Sequence, residues 1–313
     1  MPRVSKPPAL AIHDAVTCRP PASAHRDLPA SMTQPVARAV PVEASSALRD
    51  LPASMAQPVA RPIPVDAQLR SAAASVRDIA ASDLDVVFQP IVDLATGVTF
   101  AFEALTRCKW PEFKNPMKLF EQAQEERCCG SLGRKVREVA FSRCTDAPLF
   151  VNLHPHELGE GWLVRPDDPL FFHERAVYLE ITESAAFNYF SLCVNVLKEI
   201  CSRSGAFLVV DDLGAGHSNL KRIIDLEPHV VKLDLALVRG IEKSKRQQIL
   251  VRQVVSLCRE LGARVVAEGI ETEDELSAVI DTGAQYGQGY LFARPAFPIP
   301  KASWPVPRKT AAL

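Results

Sequence analysis

The residues in this sequence whose types and spacing could do chemistry are carboxylates and amides at the downstream ends of apolar runs. Glu103 lies near the end of Val98–Leu105, Asn152 near the end of Leu149–Leu153, and Glu180 and Glu183 mark the end of Val177–Thr182. Asp211 and Asp212 close Phe207–Asp212, and Lys232 and Asp234 end His229–Asp234. Glu268 and Glu271 come at the end of Arg264–Gly269, and Gln288 stands in Gly287–Phe292. Carboxylates gathered in one cleft repel strongly at low dielectric, and they stay ionised together only beside cations. Oxygen ligands without a cysteine or histidine cluster suit Mg²⁺ or Mn²⁺. Two such ions about 3.5–4 Å apart are a known solution for phosphodiester cleavage. Any one of these acids, taken alone, reads better as a helix cap or a solvent-facing loop residue; the series at successive run ends is what argues for a site.

The elements that must position them alternate. Besides the runs above, Val86–Leu94 is strand-like, and periodic helix-like segments follow at Ala185–Arg203, Leu235–Leu261 and Thr272–Thr282. Strand–helix alternation argues for a parallel sheet with helices outside, and eight strands argue for an α/β fold of the (β/α)8 barrel type, whose reacting groups sit at the C-terminal mouth. Only Ala95-Thr96-Gly97 separates the first two runs, too short for a crossover, so they are expected to pair antiparallel.

On these residues the chain resembles the EAL family of cyclic di-GMP phosphodiesterases, from Gln89 to Pro295. The motif is Glu103-Ala104-Leu105 with Arg107, preceded by Gln89-Pro90-Ile91-Val92. Val151-Asn152-Leu153, Leu179-Glu180-Ile181-Thr182-Glu183, Asp211-Asp212-Leu213-Gly214-Ala215-Gly216 and Val231-Lys232-Leu233-Asp234 follow in order, then Val266-Ala267-Glu268-Gly269-Ile270-Glu271-Thr272 and Gln288-Gly289-Tyr290. The resemblance implies that Glu103, Asn152, Glu180 and Asp211 hold one metal, and that Asp211 bridges to a second held by Asp212 and Glu268. It casts Lys232 or Glu268 as the group that readies the attacking water. Gln89, Arg107 and Gln288 would contact substrate; the Arg107 fork suits phosphate oxygens. Glu183, with Asp234 and Glu271, would support the loops around the site, above all Gly214–Ser218, which couples a homodimer to activity in the family. The chain departs from the family's common residues at Ala101, Leu213 and His217, none of them an implied metal ligand. With the ligand positions and Lys232 filled, hydrolysis of cyclic di-GMP to linear pGpG is expected; the alternative is a silent EAL-fold receptor or interaction module.

The flanks are of another texture. Residues 1–66 are rich in proline, alanine and serine, and Arg26-Asp27-Leu28-Pro29-Ala30-Ser31-Met32 returns at Arg49–Met55, 49 − 26 = 23 residues on. Prolines at that density block a continuous helix or ladder, so a disordered segment is expected, whose repeat is either a tether or a docking motif for an unknown partner. The barrel domain is placed at 67–300, opening on a helix-like Ala67–Ala81, and a flexible tail at 301–313. The net charge of -1, from 36 basic and 37 acidic residues, gives no nucleic-acid footprint. No run nears the roughly 18 apolar residues of a membrane span. Eight cysteines without a C-x-x-C pair read as reduced thiols of a cytoplasmic protein. His154-Pro155-His156 reads as a loop after a strand, since no third histidine or cysteine partner is evident. Cys128-Cys129 is placed on a helix face, and Leu119–Val139 carries helical spacing.

Overall fold

Residues 74–182, 190–215 and 220–305 are described in a computed structural model, so the expectations for 1–66 and for Glu183, Gly216, His217 and Ser218 fall outside them. The chain divides into two units, Met1–Ile63 and Pro64–Leu313. In the second, eight strands close a barrel in sequence order: β1 Leu84–Asp93, β2 Thr99–Cys108, β3 Leu149–Asn152, β4 Val177–Thr182, β5 Phe207–Leu213, β6 Val230–Leu233, β7 Arg264–Ala267 and β8 Tyr286–Gln288. β1 pairs antiparallel with both β2 and β8, and every other neighbouring pair is parallel. The reason is the one legible in the sequence: Asp93 accepts the N–H of Ala95 and of Thr96 and so closes a tight turn where no helix fits.

Side chains alternate along a strand, and the inward set changes character within two residues. Ile91, Ala101, Phe150, Tyr178, Val209, Val230, Val266 and Tyr286 form one buried apolar cluster. Its rings stack, Phe150 on Tyr178 at 4.3 Å and Phe100 on Tyr286 at 4.1 Å between centroids, which adds about 0.5–1.5 kcal/mol per pair beyond burial. These residues form a floor, and the next inward position on each strand, two residues nearer the mouth, is polar or charged. The outward positions make a second, larger cluster under the helices.

Among the described residues the α-helices are α1 Pro116–Glu125, α2 Cys129–Arg143, α3 Phe190–Ser204, α4 Lys221–Leu226, α5 Leu235–Val238, α6 Lys245–Glu260 and α7 Glu273–Thr282. Several depart from the periodic segments expected. Leu119–Val139 is two helices, broken where Arg127 turns to φ 51°. Leu235–Leu261 also divides, because Gly240 at φ 68° reverses the chain and Ser244 caps a new helix start by accepting from Gln247 N–H. The part of Ala67–Ala81 that is described, from Ala74, holds a short 3₁₀ turn at Val76–Asp78 rather than an α-helix. The eighth run ends at Gln288 instead of Phe292. Within the described part of 301–313, Ser303 N–H donates to the Phe292 carbonyl and Trp304 stacks on Phe292.

Between β3 and β4 no α-helix forms. That connection is held instead by Arg137 of α2, buried against Glu157 at 2.7 Å and Asp168 at 2.9 Å. A guanidinium taken from water is stable only when its donors are matched in this way.

Candidate active site

Six of the candidate side chains stand one inward step above a floor residue: Glu103 above Ala101, Glu180 above Tyr178, Asp211 above Val209, Lys232 above Val230, Glu268 above Val266 and Gln288 above Tyr286. On antiparallel β1 the order inverts, and Gln89 lies above Ile91 and opposite Glu103. Period-two alternation therefore delivers these side chains to one end of the barrel from seven separate stretches of chain.

Lys232 is the centre. Its Nζ lies 2.6 Å from Glu268 Oε1, 2.7 Å from Glu180 Oε1, 3.1 Å from Asp211 Oδ1 and 3.5 Å from Glu103 Oε1. Burial opposes its charge, but the surrounding carboxylates outweigh that and hold its proton more tightly than usual. An ammonium has three hydrogens, so it cannot satisfy four carboxylates. Glu180 Oε1 and Asp211 Oδ1 are within ion-pair distance of Nζ without hydrogen-bond alignment, and Glu180 Oε2 and Gln288 Oε1 have no hydrogen-bond partner among the described residues. Burial pushes Glu180 well above the usual carboxylate range, with Glu103 and Asp211 adding to it against Lys232. Burial carries Glu268 up to about 8 and, with the Asp211 charge, Asp212 up to about 6. One lysine thus leaves a buried surplus of negative charge.

Asp211, Asp212 and Glu268 place carboxylate oxygens within 4.8 Å of one another. Two consecutive aspartates reach the same cleft because Asp212 adopts φ 60° at a break in the β5–β6 register. Such a bulge suspends the alternation that would send the second side chain outward. Glu268 lies just past β7, where Gly269 at φ 73° turns the chain; a Cβ there would meet Leu235 Cβ at 2.7 Å.

The amides close the wall. Gln288 Nε2 donates to Glu103 Oε2 at 2.5 Å and to Gln89 Oε1 at 3.1 Å, and Gln89 Nε2 donates to the Ala293 carbonyl. Asn152 is exposed, with its amide nitrogen 3.5 Å from Glu103 Oε1. Arg107 is not in the cleft of about 300 Å³ that these carboxylates line. It borders a second cleft of about 550 Å³ with Asn152, His154 and His156, and Leu105 forms the wall common to both. Asp234 caps α5 by accepting from Ala236 N–H, and Glu271 makes a two-pronged surface pair with Arg239. The sequence reading missed Arg239, which lines the first cleft from the start of the β6–β7 connection; an arginine in a periodic segment carries no distinguishing signal.

A closed eight-strand barrel with a carboxylate-ringed lysine at its mouth defines an α/β-barrel protein with an acidic cleft. The EAL domain family model matches residues 71–295, and the chain belongs to that family. It is 31% identical over 232 residues to the cyclic di-GMP phosphodiesterase PA2567 of Pseudomonas aeruginosa, across 70% of this chain and 39% of that protein. It is 29% identical over 248 residues to RocR, a cyclic di-GMP phosphodiesterase of the same organism, across 73% of this chain and 62% of that protein. The chain therefore spans less than two thirds of the length of either. Among solved structures it is similar to Klebsiella pneumoniae BlrP1 in a manganese and cyclic di-GMP complex, with 32% identity and a TM-score of 0.63 over 72% of this chain and 59% of that one. The calcium and cyclic di-GMP complex of BlrP1 gives 32% identity and 0.60 over 68% and 56%.

Proposed function

We propose that this chain hydrolyses cyclic di-GMP to linear pGpG, using two Mg²⁺ or Mn²⁺ ions. The observation that supports it most is Lys232 within 3.5 Å of four carboxylates, with buried oxygens of Glu180 and Asp211 left short of hydrogen bonds. That surplus fits divalent cations. Glu103, Asn152, Glu180 and Asp211 would hold one ion; Asp211, Asp212 and Glu268 would hold the other. When bound, such ions neutralise phosphoryl oxygens and acidify water.

The chain's own groups divide the remaining work. Lys232 Nζ donates to the attacking water and fixes its direction. Glu268, with its proton affinity raised toward neutrality, accepts the water's proton; a cation beside it lowers that affinity. The water oxygen forms a new bond to phosphorus as the bond to a ribose oxygen breaks, and that oxygen takes a proton from solvent to become the free hydroxyl. Gln89 and Gln288 hold the substrate above the floor, and Arg107 reaches from the adjoining cleft toward a phosphate. The same reading includes a homodimer and a cytoplasmic location, and leaves the repeat in residues 1–66 as a tether or docking motif.

The test is turnover of cyclic di-GMP by purified protein with Mg²⁺ or Mn²⁺. Glu103→Ala is expected to abolish it. Tight binding without turnover in the unmodified protein would make it a receptor instead, and full activity in the variant would remove Glu103 from the site.

A further inference from the structure

The third partner that the sequence did not show for His154 and His156 is Cys129. The thiol is the first residue of α2, and the two imidazoles stand on the loop after β3, yet Sγ and one nitrogen of each ring lie within 4.8 Å of one another. Cys129 is fully buried, His154 half-buried and His156 exposed, so the three form a path from the interior to the surface. We propose that Cys129, His154 and His156 bind one zinc-class divalent ion, at a site separate from the carboxylate cleft.

The donor set selects the class. Thiolate with imidazole suits zinc and its neighbours, whereas Mg²⁺ and Mn²⁺ prefer the oxygen-only set around Lys232. Ligands of one tetrahedral zinc stand about 3.3–3.7 Å apart, given bonds of about 2.0–2.3 Å. Closing the cluster to that span asks for side-chain movements of about 1 Å, and exposed His156 is free to make the largest. On ligation the Cys129 S–H gives its proton to solvent. The opposing cost is that proton: burial first, then the Glu160 and Glu157 charges, push the Cys129 thiol up to about 12, and the ion must displace it. The 3.4 Å contact from the His156 backbone N–H to His154 Nδ1 is also lost if the ion takes that nitrogen. The carboxylates of Glu157 and Glu160 act on the same sulfur, and their field favours a cation there. Water completes the fourth position, as in open zinc sites.

Such an ion would tie the first turn of α2 to the loop that begins at Asn152. It would lie along the 550 Å³ cleft bordered by Arg107, Asn152 and His156. The proposal stands independently of the hydrolytic reading, because oxygen ligands give no thiolate signature.

The full-length chain is stripped with chelator, given Mg²⁺ and titrated with Co²⁺. A thiolate-to-cobalt charge-transfer band saturating at one equivalent and displaced by Zn²⁺ is expected. Cys129→Ser should lose the band, and His156→Ala should weaken Zn²⁺ at least tenfold in competition with a chromogenic chelator. No band in the folded protein, an undiminished band in Cys129→Ser, or unchanged Zn²⁺ affinity in His156→Ala overturns the proposal. If Cys129→Ser does not fold, His156→Ala decides alone, since an exposed side chain is removed there without disturbing the core.

Discussion

Asp211 and Asp212 are neighbours in sequence and neighbours in the cleft, which regular β structure forbids. Asp212 achieves this at φ 60°, a left-handed conformation for a residue with a Cβ. Such strain costs of order 1–3 kcal/mol and persists where the surrounding structure imposes it.

Replacing Asp212 separates strain from chemistry. Asp212→Gly and Asp212→Ala are both expected to lose turnover. Glycine tolerates the conformation, so Asp212→Gly should be more stable than Asp212→Ala by about 1 kcal/mol in urea unfolding. Equal stabilities would mean that the backbone relaxes out of the left-handed region.

Lys232→Met removes the cation and keeps most of the side-chain volume. Four carboxylates then face one another, and a loss of about 3 kcal/mol of stability is expected in metal-free protein. Part of it should return on adding Mn²⁺. Turnover should fall at least about 100-fold. Wild-type turnover in this variant would remove Lys232 from the mechanism.

Glu275 offers a pH test away from the cleft. Its carboxylate accepts the N–H groups of Gly240, Glu271 and Thr272, joining the turn after α5 to the start of α7. Burial works to raise its pKa, but those three donors together outweigh it and leave the value below the usual 4.5. A lowered carboxylate value means stability present above pH 4.5 and lost as pH falls through the folded-state value. Glu275→Gln should therefore cost about 1–2 kcal/mol at pH 7. Thermal melts should show that difference shrinking below pH 4; a constant difference would assign the effect to packing.

Much of this was legible in the chain because strand alternation is a local signal. An apolar residue followed two positions later by an acid or amide, as in Tyr178/Glu180 or Val266/Glu268, announces both floor and mouth. What was not legible depends on contacts between distant stretches. Nothing in the sequence pairs Arg137 with Glu157 and Asp168, or Cys129 with His154, since neither periodicity nor spacing reports which loop rests on which helix. Gly240 was visible as a glycine, but its reversal of the chain depends on packing of the turn it makes. Arg107 resembled a substrate contact by motif, and the turn of its side chain toward the Thr106 carbonyl, beyond Leu105, is a conformational fact that motifs do not encode.

The stacked rings beneath the carboxylates seal one end of the barrel. Under the proposed hydrolysis, the attacking water and the nucleotide would share the approach from above those rings. A cover over that approach would then withhold the nucleophile along with the phosphodiester.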